Sequence, residues 1–212
     1  MNSFLVFTLL VVTMMTSSVF GHGYMRSPPA RNSMWRFGFR QNGANYNDNQ
    51  LWCGGRSTQR RNKGRCGVCG DPFDAKIQPH MDGGRFGNRI IGKTYKSGEA
   101  IKINVLLTAS HLGYFEFRIG DFSNSDTSGD KEGKLKGVLL KQVSGSTKYY
   151  IRSAGARSHN IHLQLPTNLA CERCVIQWWY KTGNSWGCDA EGCGMGHGFQ
   201  ETFVNCADVR VE

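Results

Sequence analysis

Six histidines are the side chains in this sequence best suited to metal chemistry, and His22 has a property that the others lack. It follows an apolar run, residues 4–15, and a stretch of small residues ending in Gly21. If residues 1–21 are removed, the new α-amine and the ring Nδ1 of His22 can close one chelate ring around a metal ion. The amine has an ordinary pKa near ~7.7, so it loses its proton easily at neutral pH. Nitrogen donors of this kind suit copper. The alternative is that cleavage falls one or two residues away, which leaves His22 as an ordinary surface residue.

The segment before His22 has the composition of a secretory signal peptide. Its apolar run, residues 4–15, is shorter than the about 20 residues that a membrane-spanning helix needs, and no second such run follows. We therefore predict a signal peptide over residues 1–21 and one secreted domain over residues 22–212, with no membrane partner. One feature is atypical, since no Lys or Arg precedes the apolar run.

His111 is the candidate for a second metal ligand. It lies in a short connection between two predicted strands, residues 101–107 and 114–119. A ligand held between strands has a rigid support, as metal sites require. The alternative is a surface loop histidine without a ligand role.

The other histidines have weaker claims. His159 and His162 lie around a predicted strand, where exposed strand polarity explains them. His197 lies in a Gly-rich loop and is a rival for the role of His111.

The 8 cysteines all follow the predicted signal peptide, and an even number in a secreted chain indicates disulfides. The competing interpretation is a zinc site made by the pairs Cys66/Cys69 and Cys171/Cys174, but these lie farther apart than zinc-ribbon pairs normally do. We predict that all are paired and leave the connectivity open. They are Cys53, Cys66, Cys69, Cys171, Cys174, Cys188, Cys193 and Cys206.

Charge and motifs narrow the possible functions. The net charge of +10 indicates anionic partners in general, but nucleic acid is not expected outside the cell, and the basic residues 60–63 are expected to form a solvated loop. The sequence contains no His-Glu-x-x-His motif of the zinc proteases. A glycosidase carboxylate pair stays open, because any two of the 16 acidic residues could meet in space.

The elements that would position these residues are mostly strands. Residues 22–95 are rich in Gly, Asn, Arg and Pro and predict a long loop-dominated region held by disulfides. From residue 98 onward, short segments alternate between apolar and polar residues, which predicts an antiparallel β-sandwich without long helices. The predicted strands are 101–107, 114–119, 137–140, 148–152, 160–165, 175–181 and 202–211.

Several motifs together resemble one known family. They are residues 22–25 and 28–31 directly after the signal peptide, 53–55, 66–71, 108–115 and the ending 200–209. The chain resembles the lytic polysaccharide monooxygenases of the arthropod type, auxiliary-activity family fifteen, with a chitin-binding type-4 domain. The resemblance covers the whole mature chain.

The resemblance implies an all-β fold, an immunoglobulin-like or fibronectin III-like antiparallel β-sandwich with long disulfide-stapled loops. It implies one copper ion in a histidine brace, bound by the amine and Nδ1 of His22 and by a side-chain nitrogen of His111. Phe203 would take the axial position, where some relatives have Tyr. Ala109 would shape access to the copper, and Glu201 would be a polar neighbour of the site.

The resemblance also implies a substrate and partners. The enzyme would oxidatively cleave β-1,4-linked crystalline polysaccharide, chitin first and cellulose second, with an external electron donor and O2 or H2O2. A monomer is expected. Tyr46 and Trp52 are candidate sugar-stacking residues, although either could belong to the core. The alternative function is a chitin-binding module without catalysis.

Overall fold

A computed structural model describes residues 22–212, so the predicted signal peptide, residues 1–21, lies outside the described residues. The described part contains two short 3-10 helices, Met34–Phe37 and Arg40–Asn42, and one α-helix, α1, Arg56–Arg61. Its twelve strands are β1 His22–Ser27, β2 Lys93–Tyr95, β3 Ala100–Ala109, β4 Gly113–Asp121, β5 Val138–Leu139, β6 Lys141–Gln142, β7 Tyr149–Ile151, β8 Arg157–Gln164, β9 Cys171–Lys181, β10 Trp186–Asp189, β11 Gly192–Met195 and β12 Thr202–Val211.

Two sheets form a β-sandwich of the immunoglobulin-like type, as the sequence predicted. One sheet has the order β1-β3-β8-β6, and the other has the order β2-β12-β9-β4-β5, with β7 also paired to β4. Strands β10 and β11 form a separate hairpin. All pairings are antiparallel except that of β2 with β12, which is parallel.

All seven predicted strand segments are present in the structure, and β3, β4 and β8 carry the local alternation that a half-buried strand requires. In β3, for example, Ile101, Ile103, Val105 and Leu107 are buried while residues between them are more exposed. The apolar side chains from both sheets meet in one core that includes Phe115 and other large aromatic residues. The strands β1, β2, β6, β10 and β11 were not predicted.

The loop-rich segment before β2 packs on the outer face of the six-stranded sheet. Strand β9 is therefore buried on both faces over most of its length. Buried Gln177 on this strand donates from Nε2 to the backbone oxygens of Val68 and Gly133, at 2.7 and 2.8 Å, and its Oε1 accepts from Leu135 N at 3.0 Å. These bonds supply partners for polar groups that the loops would otherwise leave unsatisfied under the sheet.

Four disulfides pair all 8 cysteines, so the pairing prediction is confirmed. Cys53–Cys66 lies within the loop-rich region, and Cys69–Cys206 joins that region to β12. Cys171–Cys174 lies at the start of β9, and Cys188–Cys193 spans the β10–β11 hairpin. The zinc alternative is wrong, because each of its cysteines is covalently paired.

The basic segment 60–63 is not simply a solvated loop. Arg60 and Arg61 form the last residues of α1 and are exposed, whereas the next residue, Asn62, is buried. The helix is held by Gln59, whose Nε2 donates to Thr202 O at 3.1 Å and whose Oε1 accepts from Thr202 N at 3.1 Å. Among residues 22–212, no helix is long and apolar enough to cross a membrane.

Candidate metal centre

His22 is the first residue of β1, at the edge of the four-stranded sheet. The register of β1 with β3 puts His22 opposite Ala109, two residues before His111. Gly23 allows this close pairing, since a Cβ there would lie 2.6 Å from Leu107 Cδ2. The pairing therefore brings His22 and His111 to the same end of one sheet, although 89 positions of sequence separate them.

His111 follows the end of β3 in a tight turn that its backbone bonds hold in place. Its N–H donates to the Tyr180 hydroxyl at 2.9 Å, and its carbonyl accepts from Gly183 N at 2.8 Å. The Tyr180 hydroxyl in turn donates to Leu112 O at 2.8 Å. Gly113 closes the turn with a φ of +88°, a conformation that glycine adopts at low cost.

The His111 ring is buried, and two polar side chains lie beside its Nδ1 atom. The amide nitrogen of Asn184 is 2.6 Å away, and a carboxylate oxygen of Glu201 is 3.6 Å away. Rotation of the amide by 180° would place Asn184 Oδ1 there instead, as an acceptor for Nδ1–H. Metal-binding histidines usually donate their second ring N–H to a partner of this kind, which leaves the other nitrogen, here Nε2, for a metal.

Phe203 lies under this end of the sandwich. It is opposite Tyr180 in the pairing of β12 with β9, and its ring stacks on that of Tyr180 with centroids 5.8 Å apart. The ring of Trp52 also stacks on that of Phe203, with centroids 6.2 Å apart. Phe203 is fully buried, and its side chain carries no oxygen.

The two candidate sugar-contact residues occupy different environments. Tyr46 is 81% exposed and lies edge-on to Trp35, with centroids 5.5 Å apart. Trp52 is partly buried against the main core and against Phe203. The structure thus leaves Tyr46 open to a ligand and places Trp52 among the core-packing residues.

The remaining histidines have other surroundings. Buried His80 contacts Asp71 Oδ1 through Nδ1 at 2.8 Å and stacks on Phe86. His162 is exposed on β8, as expected, but His159 is buried, so exposed strand polarity does not explain it. The alternation along β8 turns His159 inward, where its ring lies edge-on to Phe115, and burial lowers its pKa.

His197 is held by a contact with the hairpin. Its Nδ1 lies 3.0 Å from Asp189 Oδ1. The backbone N–H of Gly198 and the ring of His197 together hold the pKa of Asp189 well below its usual value. This pair joins the segment that follows β11 to the last residue of β10, at the turn end of the hairpin.

The donor set at the end of β1 and β3 fits a small nitrogen-bound metal. Within residues 22–212, no three His, Cys, Asp or Glu side chains form a cluster that could hold a metal ion. A site built on His22 and His111 therefore needs the α-amine of His22 as its third nitrogen. Such an all-nitrogen set suits copper.

Two residues around His111 were missed by the sequence analysis. The sequence does not mark Tyr180 as a site residue, because it lies in a segment, residues 175–181, that is typical of an ordinary core strand. Only the structure shows that its hydroxyl contacts the turn at His111. Asn184 lies in a Gly-Asn-Ser segment that is typical of turns. Only its spatial position beside His111 distinguishes it.

Comparison with known proteins identifies the family. Residues 22–209 match the family model described as lytic polysaccharide mono-oxygenase, cellulose-degrading. A solved lytic polysaccharide monooxygenase of family AA15 from Thermobia domestica, in the Cu(I) state, is 37% identical to this chain, with a TM-score of 0.82. The alignment covers 90% of this chain and 98% of that chain.

Other comparisons add nothing to this assignment. AvmM, which catalyses macrocyclization in alchivemycin A biosynthesis, aligns over 56% of this chain and 82% of its own, with 11% identity and a TM-score of 0.32, which is too low to carry an argument. No curated protein sequence matches this chain. The family model and the AA15 structure each span nearly all of the described residues. The chain therefore belongs to the lytic polysaccharide monooxygenase family.

Proposed function

We propose that residues 22–212 form a secreted, copper-dependent enzyme that oxidatively cleaves β-1,4-linked polysaccharide at a surface histidine brace. The observation that carries the proposal is the register of β1 with β3, which puts His22 opposite Ala109 and so next to His111. Removal of residues 1–21 would free the α-amine of His22, the third nitrogen donor of the proposed site. The copper assignment is supported by the Cu(I) state of the Thermobia domestica relative.

In this proposal the His22 amine, His22 Nδ1 and His111 Nε2 hold one copper ion. When bound, the copper supplies the redox chemistry, with an external electron donor and O2 or H2O2, for oxidation of a C–H bond beside the glycosidic oxygen. Asn184 and Glu201 orient the His111 ring through Nδ1. Ala109 keeps the approach to the site open, because its side chain is a single methyl group, and buried Phe203 keeps water from the inner side.

The proposed substrate is crystalline chitin first and cellulose second. The matching family model is described as cellulose-degrading, so both polymers belong in any assay. Exposed Tyr46 is the proposed sugar-stacking residue. We propose that the enzyme acts as a monomer outside the cell.

The mature amino terminus is tested by intact-mass analysis of the secreted protein. We expect a chain that begins at His22 and carries four disulfides. A chain that begins at any other residue has no histidine amine, and the proposed brace would then be abandoned.

Catalysis is tested by incubating the copper-loaded protein with ascorbate and β-chitin or cellulose. Oxidised oligosaccharides are expected, and they separate the enzyme from a chitin-binding module, which would bind chitin but release none. Mass spectrometry of the soluble products decides between the two functions.

The ligand assignment is tested by titrating copper into the copper-free mature protein in a calorimeter. His111→Ala should weaken binding by at least about 100-fold, since one of three nitrogen donors is lost. His162→Ala and His197→Ala are the matched controls and should bind as the wild type does. If His197→Ala lost as much copper affinity as His111→Ala, His197 and not His111 would be assigned as the second ligand.

A further inference from the structure

A surface concavity of about 820 Å³ is lined by one hydroxyl and three guanidinium groups of α1. We call it the arginine surface and define it by Arg56, Ser57, Arg60 and Arg61, all of which are exposed. They belong to a run, residues 56–65, that contains five basic residues and no acidic one. None of the roles proposed above uses this surface.

The positive charges of the arginine surface are largely unpaired. Among residues 22–212, Arg56 and Arg60 have no ion-pair partner. The Nη2 atom of Arg61 lies 3.3 Å from Asp74 Oδ2, but both of these side chains are exposed. Arg56 and Arg60 are four positions apart on the helix, where like charges repel and lower its stability. The stability of α1 therefore does not explain the arrangement, which favours an anionic partner from outside the chain.

The helix that carries the arginines is fixed to the sandwich. Buried Gln59 donates to Thr202 O at 3.1 Å and to Trp52 O at 2.6 Å, and it accepts from Thr202 N at 3.1 Å. The disulfide Cys53–Cys66 closes the segment that contains α1. Because the backbone of the arginine surface is already ordered, little conformational entropy is lost when a ligand binds, which favours affinity.

The side-chain chemistry of this surface suits sulfate and carboxylate groups. A guanidinium presents a planar fork of N–H donors that fits two oxygens of such a group, whereas an ammonium acts as a point charge. The helix α1 has six residues, so its three arginines are spread along roughly 9 Å at the helical rise per residue. They can therefore contact successive anionic groups of one chain, which a single small ion does not offer.

Two aromatic rings lie next to these basic residues, and a cation covers each of them. The guanidinium carbon of Arg60 lies 5.7 Å from the centroid of the Phe199 ring. That of Arg65 lies 4.3 Å from the centroid of the Phe73 ring. Proteins that bind single-stranded nucleic acid offer open aromatic rings on which bases stack, and these two rings are not open. An anionic chain without bases therefore fits the arginine surface better than nucleic acid does.

We propose that the arginine surface binds a linear anionic glycan that carries sulfate or carboxylate groups. The guanidinium groups of Arg56, Arg60 and Arg61 bind successive anionic groups, and the Ser57 hydroxyl, which both donates and accepts, bonds to a sugar hydroxyl. This partner differs from the neutral polysaccharide of the proposed function. The inference therefore goes beyond that function and does not rest on it.

The proposal is tested by calorimetric titration of the mature protein with three hexasaccharides: heparin, desulfated heparin, which keeps only the carboxylates, and neutral cellohexaose. We expect the heparin hexasaccharide to bind, with an affinity that falls steadily as NaCl is raised, because each contact releases bound ions. Binding of heparin alone assigns sulfate as the group recognised. Binding of both anionic sugars shows that carboxylates suffice.

The location of the site is tested with two triple variants that remove the same charge. Arg56→Gln/Arg60→Gln/Arg61→Gln should weaken heparin binding by at least about tenfold at constant salt, from the lost charge-assisted bonds. The matched control, Lys102→Gln/Lys141→Gln/Arg157→Gln, removes exposed charges on β3, β6 and β8 and should weaken it by less than about twofold. Urea unfolding shows that each variant is folded.

The proposal is overturned if heparin binds no more tightly than cellohexaose. It is also overturned if both triple variants lose affinity by the same factor, because net charge and not the arginine surface would then cause the binding. A single-stranded DNA of equal charge that bound more tightly than heparin would assign nucleic acid as the partner instead. These measurements do not use the metal centre, so a failure of the proposed function leaves their outcome unchanged.

Discussion

Among single residues, Asn184 is expected to affect the proposed metal site most directly. Its amide is the nearest polar group to His111 Nδ1, and its Oδ1 accepts from Thr182 Oγ1 at 3.1 Å in the observed orientation. With the amide rotated by 180°, Oδ1 would accept from Nδ1–H, which keeps the proton on that nitrogen and leaves Nε2 free. Glu201, whose carboxylate oxygen lies 3.6 Å from His111 Nδ1, is a weaker acceptor for the same proton.

Asn184→Ala should therefore weaken copper binding by about 10- to 100-fold, the usual effect of removing such a partner. Calorimetric titration measures the affinity, and ¹⁵N NMR of the copper-free protein shows which ring nitrogen of His111 carries the proton. Asn160→Ala, on the exposed side of β8, is the matched control. If the affinity and the His111 tautomer are both unchanged, Asn184 has no positioning role.

Tyr95 on β2 is a second residue with a predictable effect. Its hydroxyl is buried and has no hydrogen-bond partner among the described residues. Burial, with a smaller contribution from the charge of Glu99, raises the pKa of Tyr95 above its ordinary value. The folded state therefore favours the protonated phenol more strongly than the unfolded state does.

We expect Tyr95→Phe to be more stable than the wild type by about 1 kcal/mol at pH 7, because it removes an unsatisfied buried hydroxyl. The contribution of the raised pKa is complete below about pH 10 and is lost as the pH rises further. The wild type should thus lose more stability than Tyr95→Phe between pH 9 and about pH 11. Urea unfolding at both pH values checks this, with exposed Tyr46→Phe as the control; parallel losses in Tyr95→Phe and the wild type would contradict it.

Among the four disulfides, which connect the elements covalently, Cys69–Cys206 closes the longest loop of sequence. It attaches the loop-rich region to β12 and spans 137 residues of sequence, whereas Cys188–Cys193 spans 5. In the chain-entropy model, the long loop contributes about 5 kcal/mol and the short one about 2 kcal/mol. The two bonds should therefore differ in their effect on global stability.

The double variant Cys69→Ala/Cys206→Ala should lose about 5 kcal/mol in urea unfolding, against about 2 kcal/mol for Cys188→Ala/Cys193→Ala. The second variant is the matched control, because it also removes one disulfide and two sulfur atoms. Equal losses would show that native-state packing, and not loop closure, sets the contribution of Cys69–Cys206.

Across the whole molecule, one buried ion cluster joins the loop-rich region to the six-stranded sheet. Arg31 donates to both carboxylate oxygens of Asp208 on β12, at 2.6 and 2.7 Å, and pairs with Asp82 at 2.8 Å. Arg173 on β9 pairs with the same two carboxylates, at 3.0 and 3.3 Å. Burial raises the pKa of Asp82, but the charge of Arg31 and further contacts outweigh it, and the pKa is lowered overall.

Arg31→Met should destabilise the protein by about 3–5 kcal/mol, because it leaves buried carboxylates with too few partners. Arg61→Met is the control, since the Arg61–Asp74 pair is exposed and should contribute about 0–1 kcal/mol. Thermal and urea unfolding of both variants give the comparison. A loss below about 1 kcal/mol in Arg31→Met would show that the loop region docks without the cluster.

The sequence by itself determined the strands β3, β4, β5, β7, β8, β9 and β12, the disulfide-rich loop region and the two candidate histidines. These features are local. Alternation shows where a strand has one buried face, as in β3 and β8, and the apolar run at residues 4–15 predicts where a new amino terminus can arise. The family motifs at residues 22–31 and 108–115 are likewise contiguous.

The tertiary structure alone decided which of these features meet. The register that sets His22 beside Ala109, the pairing of Cys69 with Cys206 and the position of Asn184 against His111 all join residues far apart in sequence. No local pattern encodes such a contact, because it depends on how the strands pair and how the sheets and loops pack. The same packing buries His159 and turns Trp52 onto Phe203.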